Sequence, residues 1–262
     1  MFIVIRRNEA EVGRKAGAIV AEMAKKVGPK VVLGVATGSS PLSTYAELAR
    51  LVSTGELDLS QASAFALDEY VGLPVDHPES YHATIHRTVT EPLGLDPARV
   101  HVPDGNAQDL DTAAADYEAM IEAAGGIDVQ ILGVGANGHI GFNEPSSSLA
   151  SRTRMKVLTQ ETRRDNARFF DSLADVPRYS MTQGLGTIMD ARRIVLVATG
   201  ANKAKAVQAM VEGPITSMCP GSVLQWHRRV TVVIDLAAAA DLRLTDYYRD
   251  VYANLPHGPN QP

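Results

Sequence analysis

Val31-Val32-Leu33-Gly34-Val35-Ala36-Thr37-Gly38-Ser39-Ser40-Pro41 opens with six apolar residues in a row and closes on a polar turn. An unbroken apolar run of that length suits a strand buried on both faces, the condition of a parallel sheet covered by helices. Proline at the end of the turn suits the first turn of a helix. The chain repeats the device. Val197-Ala198-Thr199-Gly200 is the same tetrapeptide as Val35-Ala36-Thr37-Gly38, again closing an apolar run, and it continues into Ala201-Asn202-Lys203. Two such units predict two strand-to-helix turns on one edge of a parallel sheet, the carboxyl edge where open α/β folds bind ligands.

On either side, strand-like and helix-like segments alternate. Residues 2–5, 63–67, 127–134, 194–198 and 230–234 read as strands. Asn8 is placed to cap a helix running to about Lys26, with Val12, Ala16, Ile19, Val20 and Met23 on one face. Residues 109–124 and 201–212 read as helices, stopped by Gly125-Gly126 and by Gly213-Pro214. The alternation predicts an α/β fold: a mostly parallel sheet with helices on both faces, in one domain over 1–262 with no linker.

Of the 262 residues, 45% are hydrophobic and 21% charged, the proportions of a soluble globular chain. Lys plus Arg number 25 against 30 Asp plus Glu, and a net charge of -5 makes a general nucleic-acid binder a poor expectation. The bases of 152–168 interleave with Glu161 and Asp165 and read as a solvated helix face or a cover. One cysteine excludes an internal disulfide and a Cys-based zinc site. The apolar start is shorter than the ~7–15 residues of a signal-peptide core. No apolar run approaches the ~18 residues of a membrane span. These features lead to the expectation of a cytoplasmic protein with no membrane partner.

Three constellations can carry chemistry. Thr37, Gly38, Ser39 and Ser40 open a helix, whose free N–H groups and partial positive charge make an anion site, and Lys203 of the second turn adds a full charge. The G-x-x-x-x-G-K-[ST] loop of nucleotide triphosphatases is absent. Gly133-Val134-Gly135-Ala136-Asn137-Gly138 matches G-x-G-x-x-G, but Gly141 and Pro145 follow where a dinucleotide site needs a helix. The segment reads better as a loop presenting Asn137, His139 and Glu144, with histidine suited to moving protons and a carboxylate to orienting it. In Leu67-Asp68-Glu69-Tyr70, one carboxylate could face a ligand as general base and the other cap the next segment. His77-Pro78-Glu79-Ser80-Tyr81 opens a helix. Cys219 reads as packing rather than nucleophile, and Trp226 as core or rim. The sum is a sugar-phosphate enzyme using acid–base chemistry without a cofactor; the reaction itself stays open.

Four motifs narrow the choice. Leu67-Asp68-Glu69-Tyr70-Val71-Gly72-Leu73, His77-Pro78-Glu79-Ser80-Tyr81, Gly138-His139-Ile140-Gly141-Phe142-Asn143-Glu144-Pro145 and Ser147-Ser148-Leu149-Ala150-Ser151-Arg152-Thr153-Arg154, in that order, resemble the glucosamine-6-phosphate deaminase family. The resemblance runs from the N-terminal helix to about Asp235. It implies a Rossmann-like three-layer α/β sandwich. It also implies an isomerising deaminase, a hydrolase of a carbon–nitrogen bond, that converts glucosamine 6-phosphate and water to fructose 6-phosphate and ammonia with no metal or coenzyme.

By motif, Asp68 would be the general base between carbons 2 and 1, and His139 would assist ring opening, held by Glu144 and Asn137. Thr37, Gly38, Ser39, Ser40, Arg168 and Lys203 would grip the phosphate. Ser147, Arg154 and Lys156 match part of the site at which N-acetylglucosamine 6-phosphate activates the hexameric members, which also makes a homo-oligomer an expectation. Two positions depart from the pattern. Asn137 stands where well-known members carry Asp, leaving Glu144 as the main group to favour a charged imidazole. Val157 stands where allosteric members carry Thr, and the tail around Tyr247 and Tyr248 aligns poorly, so activation is expected to be weak or absent. The nearest rival enzyme is 6-phosphogluconolactonase; a sugar-phosphate sensor is the rival without turnover.

Overall fold

The computed structural model describes residues 1–254. Its strands are β1 (Phe2–Arg6), β2 (Val32–Val35), β3 (Ser63–Ala66), β4 (Asp68–Tyr70), β5 (Val100–His101), β6 (Val129–Leu132), β7 (Arg154–Val157), β8 (Tyr179–Thr182), β9 (Arg193–Ala198) and β10 (Val230–Asp235). The helices are α1 (Glu9–Val27), α2 (Leu42–Ser53), α3 (Tyr81–Ile85), α4 (Leu110–Ala123), α5 (Gln160–Asn166), α6 (Leu185–Met189), α7 (Ala204–Glu212) and α8 (Thr245–Asn254). Among the described residues, no helix is long and apolar enough to cross a membrane.

Seven strands form one sheet in the order β1-β10-β9-β6-β2-β3-β5, with every pair parallel. Side chains alternate across a strand, so each strand feeds two cores. Leu33, Val35, Val129, Ile131, Val195 and Val197 pack with Val12, Ile19 and Val20 of α1 and with Tyr45 and Leu48 of α2. Val32, Leu132, Ile194 and Leu196 pack on the opposite side with Tyr117 and Ile121 of α4, Leu185 of α6 and Val207 and Met210 of α7. The result is the three-layer α/β sandwich. Helix α1 begins as its sequence requires, with the Asn8 side chain accepting the Glu11 N–H at 3.0 Å.

The chain runs outward from β2 to β3 and β5, then returns to the other side of β2 with β6. The crevice between the carboxyl ends of β2 and β6 is therefore the topological switch point, where such sheets bind ligands. Beneath it, Gly34 of β2 lies beside Gln130 of β6. A Cβ at position 34 would fall 2.0 Å from the Gln130 side-chain oxygen, so glycine is what lets this fully buried amide lie across the middle of the sheet.

Four expectations need correction. The strand expected over 63–67 ends at Ala66, and Asp68–Tyr70 belongs to a second, antiparallel sheet in the order β4-β8-β7. Leu67 is the crossing point: its N–H donates to Val35 in one sheet, and its carbonyl accepts from Gln183 beside the other. The strand expected over 127–134 is confined to Val129–Leu132, because its glycine-rich end is already loop. The basic stretch 152–168 is strand β7 followed by helix α5, not a helix face throughout. Trp226, expected in the core or at a rim, is 70% exposed, which removes the core alternative.

Candidate active site

A cavity of about 370 Å³ opens at the switch point. The turn after β2, residues 36–40, lines it. Gly38 adopts φ +88°, a conformation costly for any residue with a Cβ. The Tyr45 hydroxyl fixes the end of the strand, accepting the Ala36 N–H at 2.9 Å and donating to the Ala36 carbonyl at 2.8 Å. The N–H groups of Gly38, Ser39 and Ser40 have no acceptor among the described residues and remain free for an anion.

The second Thr-Gly turn differs. Gly200 again has a positive φ, +91°, but its N–H donates to both carboxylate oxygens of Asp235 at 3.1 Å. That donor is spent on structure, whereas its counterpart on Gly38 is free. What the second turn brings to the cavity is Thr199, Asn202 and the half-buried Lys203. Burial pulls the Lys203 pKa down, Asp165 opposes, and Arg168 adds to the fall. Arg168 also lines the cavity, its guanidinium 4.6 Å over the Phe169 ring.

The two adjacent carboxylates have divided their work. Glu69 accepts the backbone N–H groups of Tyr70, Tyr81 and His82 at 2.7–2.9 Å and so caps α3. Asp68 lines the cavity, is 5% exposed, and has no hydrogen-bond donor among the described residues. Burial, helped by the neighbouring Glu69 charge, pushes its pKa up to about 8. The loop that follows β6 presses close here. A Cβ on Gly141 would lie 3.6 Å from Asp68 Oδ2, and φ there is +54°.

That loop spans 133–146. The His139 ring lies over Gly135, where a Cβ would come within 2.3 Å of it. His139 Nδ1 is buried, without a hydrogen-bond partner, 3.6 Å from Glu144 Oε2. Glu144 is held elsewhere: Asn137 Nδ2 donates to Oε2 at 2.8 Å, and the Thr159 N–H and hydroxyl donate to Oε1 at 3.1 and 3.2 Å. Burial pushes the Glu144 pKa up, but the facing imidazole, the Thr162 hydroxyl and the Asn137 amide outweigh it and bring it down to about 2. Asn137 makes no bond to the imidazole, contrary to the expectation from sequence. Its Oδ1 accepts the backbone N–H of His139 at 3.1 Å and its amide positions Glu144.

The expected effector residues are only partly arranged for a ligand. Arg154 and Lys156 share one face of β7, and burial lowers the pKa of both, with Arg154 adding to the shift at Lys156. Ser147 is buried, and its hydroxyl donates to the Glu144 carbonyl at 2.7 Å. Cys219 is buried, as its packing role requires.

Residues 7–233 match the family described as glucosamine-6-phosphate isomerases/6-phosphogluconolactonase. The chain belongs to this family. A glucosamine-6-phosphate deaminase of Pseudarthrobacter chlorophenolicus is 57% identical over 256 residues, 98% of each chain. One from Cutibacterium acnes is 57% identical over 95% of each. The solved structure of a monomeric glucosamine-6-phosphate deaminase, 40% identical, superposes with a TM-score of 0.89 over 92% of this chain and all of that one. The 6-phosphogluconolactonase of Trypanosoma brucei, 20% identical with a TM-score of 0.71 over 92% of this chain and 98% of that one, shares the fold.

The cavity of this isomerase/lactonase family member also holds residues that sequence reasoning passed over. Tyr81, Thr162, Asp165 and Asn166 all line it. Tyr81 stood in a quoted motif with no role given. Thr162, Asp165 and Asn166 lie on or beside α5, in a stretch whose alternating charge reads as solvated surface. Only the fold, by bringing α5 against the cavity, makes that face part of its lining.

Proposed function

We propose that the chain converts glucosamine 6-phosphate and water to fructose 6-phosphate and ammonia, with Asp68 as the base at carbon 2. The observation that carries this is Asp68 itself: a buried carboxylate with a raised pKa, facing the cavity with no donor on it. Its free anion turn lies in the same cavity. The 6-phosphate sits on the Gly38–Ser40 N–H groups, with the Thr37, Ser39 and Ser40 hydroxyls, Lys203 and Arg168 around it. Binding there orients carbons remote from the phosphate, the use of remote binding energy that raises turnover.

His139 moves the proton that opens the pyranose ring, and Glu144, kept ionised, stabilises the imidazolium that forms. Asp68 then removes the proton on carbon 2 of the open-chain aldehyde. A pKa near the working pH suits that step, and the substrate ammonium favours the ionised carboxylate once bound. The proton returns at carbon 1, giving the ketimine. Water adds to carbon 2, and the carbinolamine expels ammonia, leaving the ketone of fructose 6-phosphate. A positioned base contributes about 10²–10⁴-fold.

A coupled assay tests the proposal. Ammonia released in step with fructose 6-phosphate from glucosamine 6-phosphate supports it. Hydrolysis of 6-phosphogluconolactone with no ammonia would assign the lactonase reaction instead. Binding of the sugar phosphate with no product would leave a sensor.

A further inference from the structure

The loop over 133–146 is fastened at two points to one short segment, residues 216–222. Midway along the loop, the Gly138 carbonyl accepts the Gly221 N–H at 2.8 Å. At its finish, the Ser146 N–H donates to the Ser217 carbonyl, also at 2.8 Å. Cys219 fills the space beside Gly138, where a Cβ would fall 2.6 Å from its sulfur. These two anchor points carry unusual backbone. Gly138 has φ +83°, and Ser146, at +74°, is the single non-glycine residue with a positive φ among the described residues. Such a conformation persists only where its surroundings impose it. Asn137, His139 and Glu144 lie between or beside the two anchors.

The segment is itself tied shut. Ser222 is fully buried, and its hydroxyl accepts the Thr216 N–H at 2.9 Å and donates to the Thr216 carbonyl at 3.1 Å. The Cys219 N–H donates to the Thr216 carbonyl at 3.1 Å, and the Ser222 N–H to the Cys219 carbonyl at 2.8 Å. Opening this closed turn would release both anchors together. The quantity at stake is the 3.6 Å gap between His139 Nδ1 and Glu144 Oε2, a few tenths of an ångström beyond hydrogen-bond reach, with Nδ1 otherwise unpartnered.

We propose that the 216–222 segment is a clasp that sets the His139–Glu144 geometry, with Ser222 its positioning residue. The proposal rests on His139 and Glu144 acting in the chemistry. The clasp touches the loop and not the phosphate turn, so loosening it should slow turnover while leaving substrate affinity near normal.

Two variants open the clasp. Ser222→Ala removes both hydroxyl bonds. Gly221→Ala is milder: its new Cβ would meet the Gly138 carbonyl at 3.1 Å and the Met210 sulfur at 3.2 Å, forcing the contact apart. Ile19→Val, in the α1 core away from the site, serves as the stability-matched control. Each is assayed for ammonia release and thermal unfolding, and the His139 ring nitrogens are followed by NMR in labelled protein.

The expected result is a kcat lowered about 10–100-fold in both clasp variants, the cost of a small misplacement. KM should stay within about twofold, with a displaced His139 signal and a parental kcat in Ile19→Val. An unchanged kcat, or a loss that only follows the folded fraction as in Ile19→Val, would overturn the proposal. Gly221→Ala alone decides if Ser222→Ala does not fold. If His139→Gln and Glu144→Gln retain full kcat, the assigned chemistry falls; if they lose it while the clasp variants do not, only the clasp falls.

Discussion

Asp68 and Glu144 are two buried carboxylates driven in opposite directions by what surrounds them. Asp68 has a folded pKa raised to about 8, so its burial costs nothing in acid and destabilises the fold increasingly as pH climbs from about 4 toward 8. Asp68→Asn should therefore lose about 10²–10⁴-fold in kcat yet gain about 1–2 kcal/mol of stability at pH 8, the usual return for relieving a strained functional site. Denaturant titration at pH 8 and at pH 5 checks it; a gain as large at pH 5 would refute the cause. Because the base must be ionised, kcat/KM should rise with pH up to about 8, and this acidic limb should move down in Glu69→Gln, which removes the neighbouring like charge. Glu144 has a lowered pKa, so its stabilisation is complete above the unfolded carboxyl value of about 4.3 and is lost as pH falls toward 2. Glu144→Gln should lose less stability than the parent between pH 6 and pH 3, measured by thermal unfolding. At this scale the residue types were legible in the sequence. Their division of labour was not: Asp68 and Glu69 are adjacent and alike, and only the β4–α3 geometry turns one to the cavity and the other to three backbone N–H groups.

The repeated Val-Ala-Thr-Gly element shows how far pattern reaches. Both copies end a parallel strand at the carboxyl edge, and both glycines take positive φ, as identical sequence in identical context requires. They part at the partner supplied by another element: Tyr45 braces the first at Ala36, while Asp235, at the end of β10, consumes the Gly200 N–H. No local pattern could announce that, because position 235 is remote in sequence. Lys203→Ala and Arg168→Ala should raise KM far more than they lower kcat, since charge-assisted bonds to a phosphate are worth about 1.5–3 kcal/mol each. Steady-state kinetics showing an unchanged KM in both would remove them from the phosphate site. Asp235→Ala, by freeing the turn that carries Lys203, should raise KM severalfold with a smaller change in kcat; an equal loss in both would mean that the turn shapes the chemistry itself. The small sheet β4-β8-β7 went unseen because its strands are three or four residues long and polar at the site, below what alternation can resolve.

The whole molecule joins a seven-stranded parallel sheet to a three-stranded antiparallel one, with Leu67 hydrogen-bonded at the junction of the two. Alternating strands and helices made the large sheet legible, since each burial pattern is a local property. The switch point became visible only once strand order was known. For regulation, Val157 is 61% exposed and has no hydroxyl, and Ser147 is committed to the Glu144 carbonyl. Plots of rate against glucosamine 6-phosphate should accordingly be hyperbolic and insensitive to N-acetylglucosamine 6-phosphate; a sigmoidal curve made hyperbolic by that compound would show the opposite. The bare backbone of Gly34 beneath the Gln130 amide reaches further than stability. In a lineage descending from this chain, enlarging position 34 would push the Gln130 amide from its place and from the Ile131 carbonyl it donates to, unless position 130 had already been shortened. The two codons are thus tied to one another, and a family tree should record their changes close together.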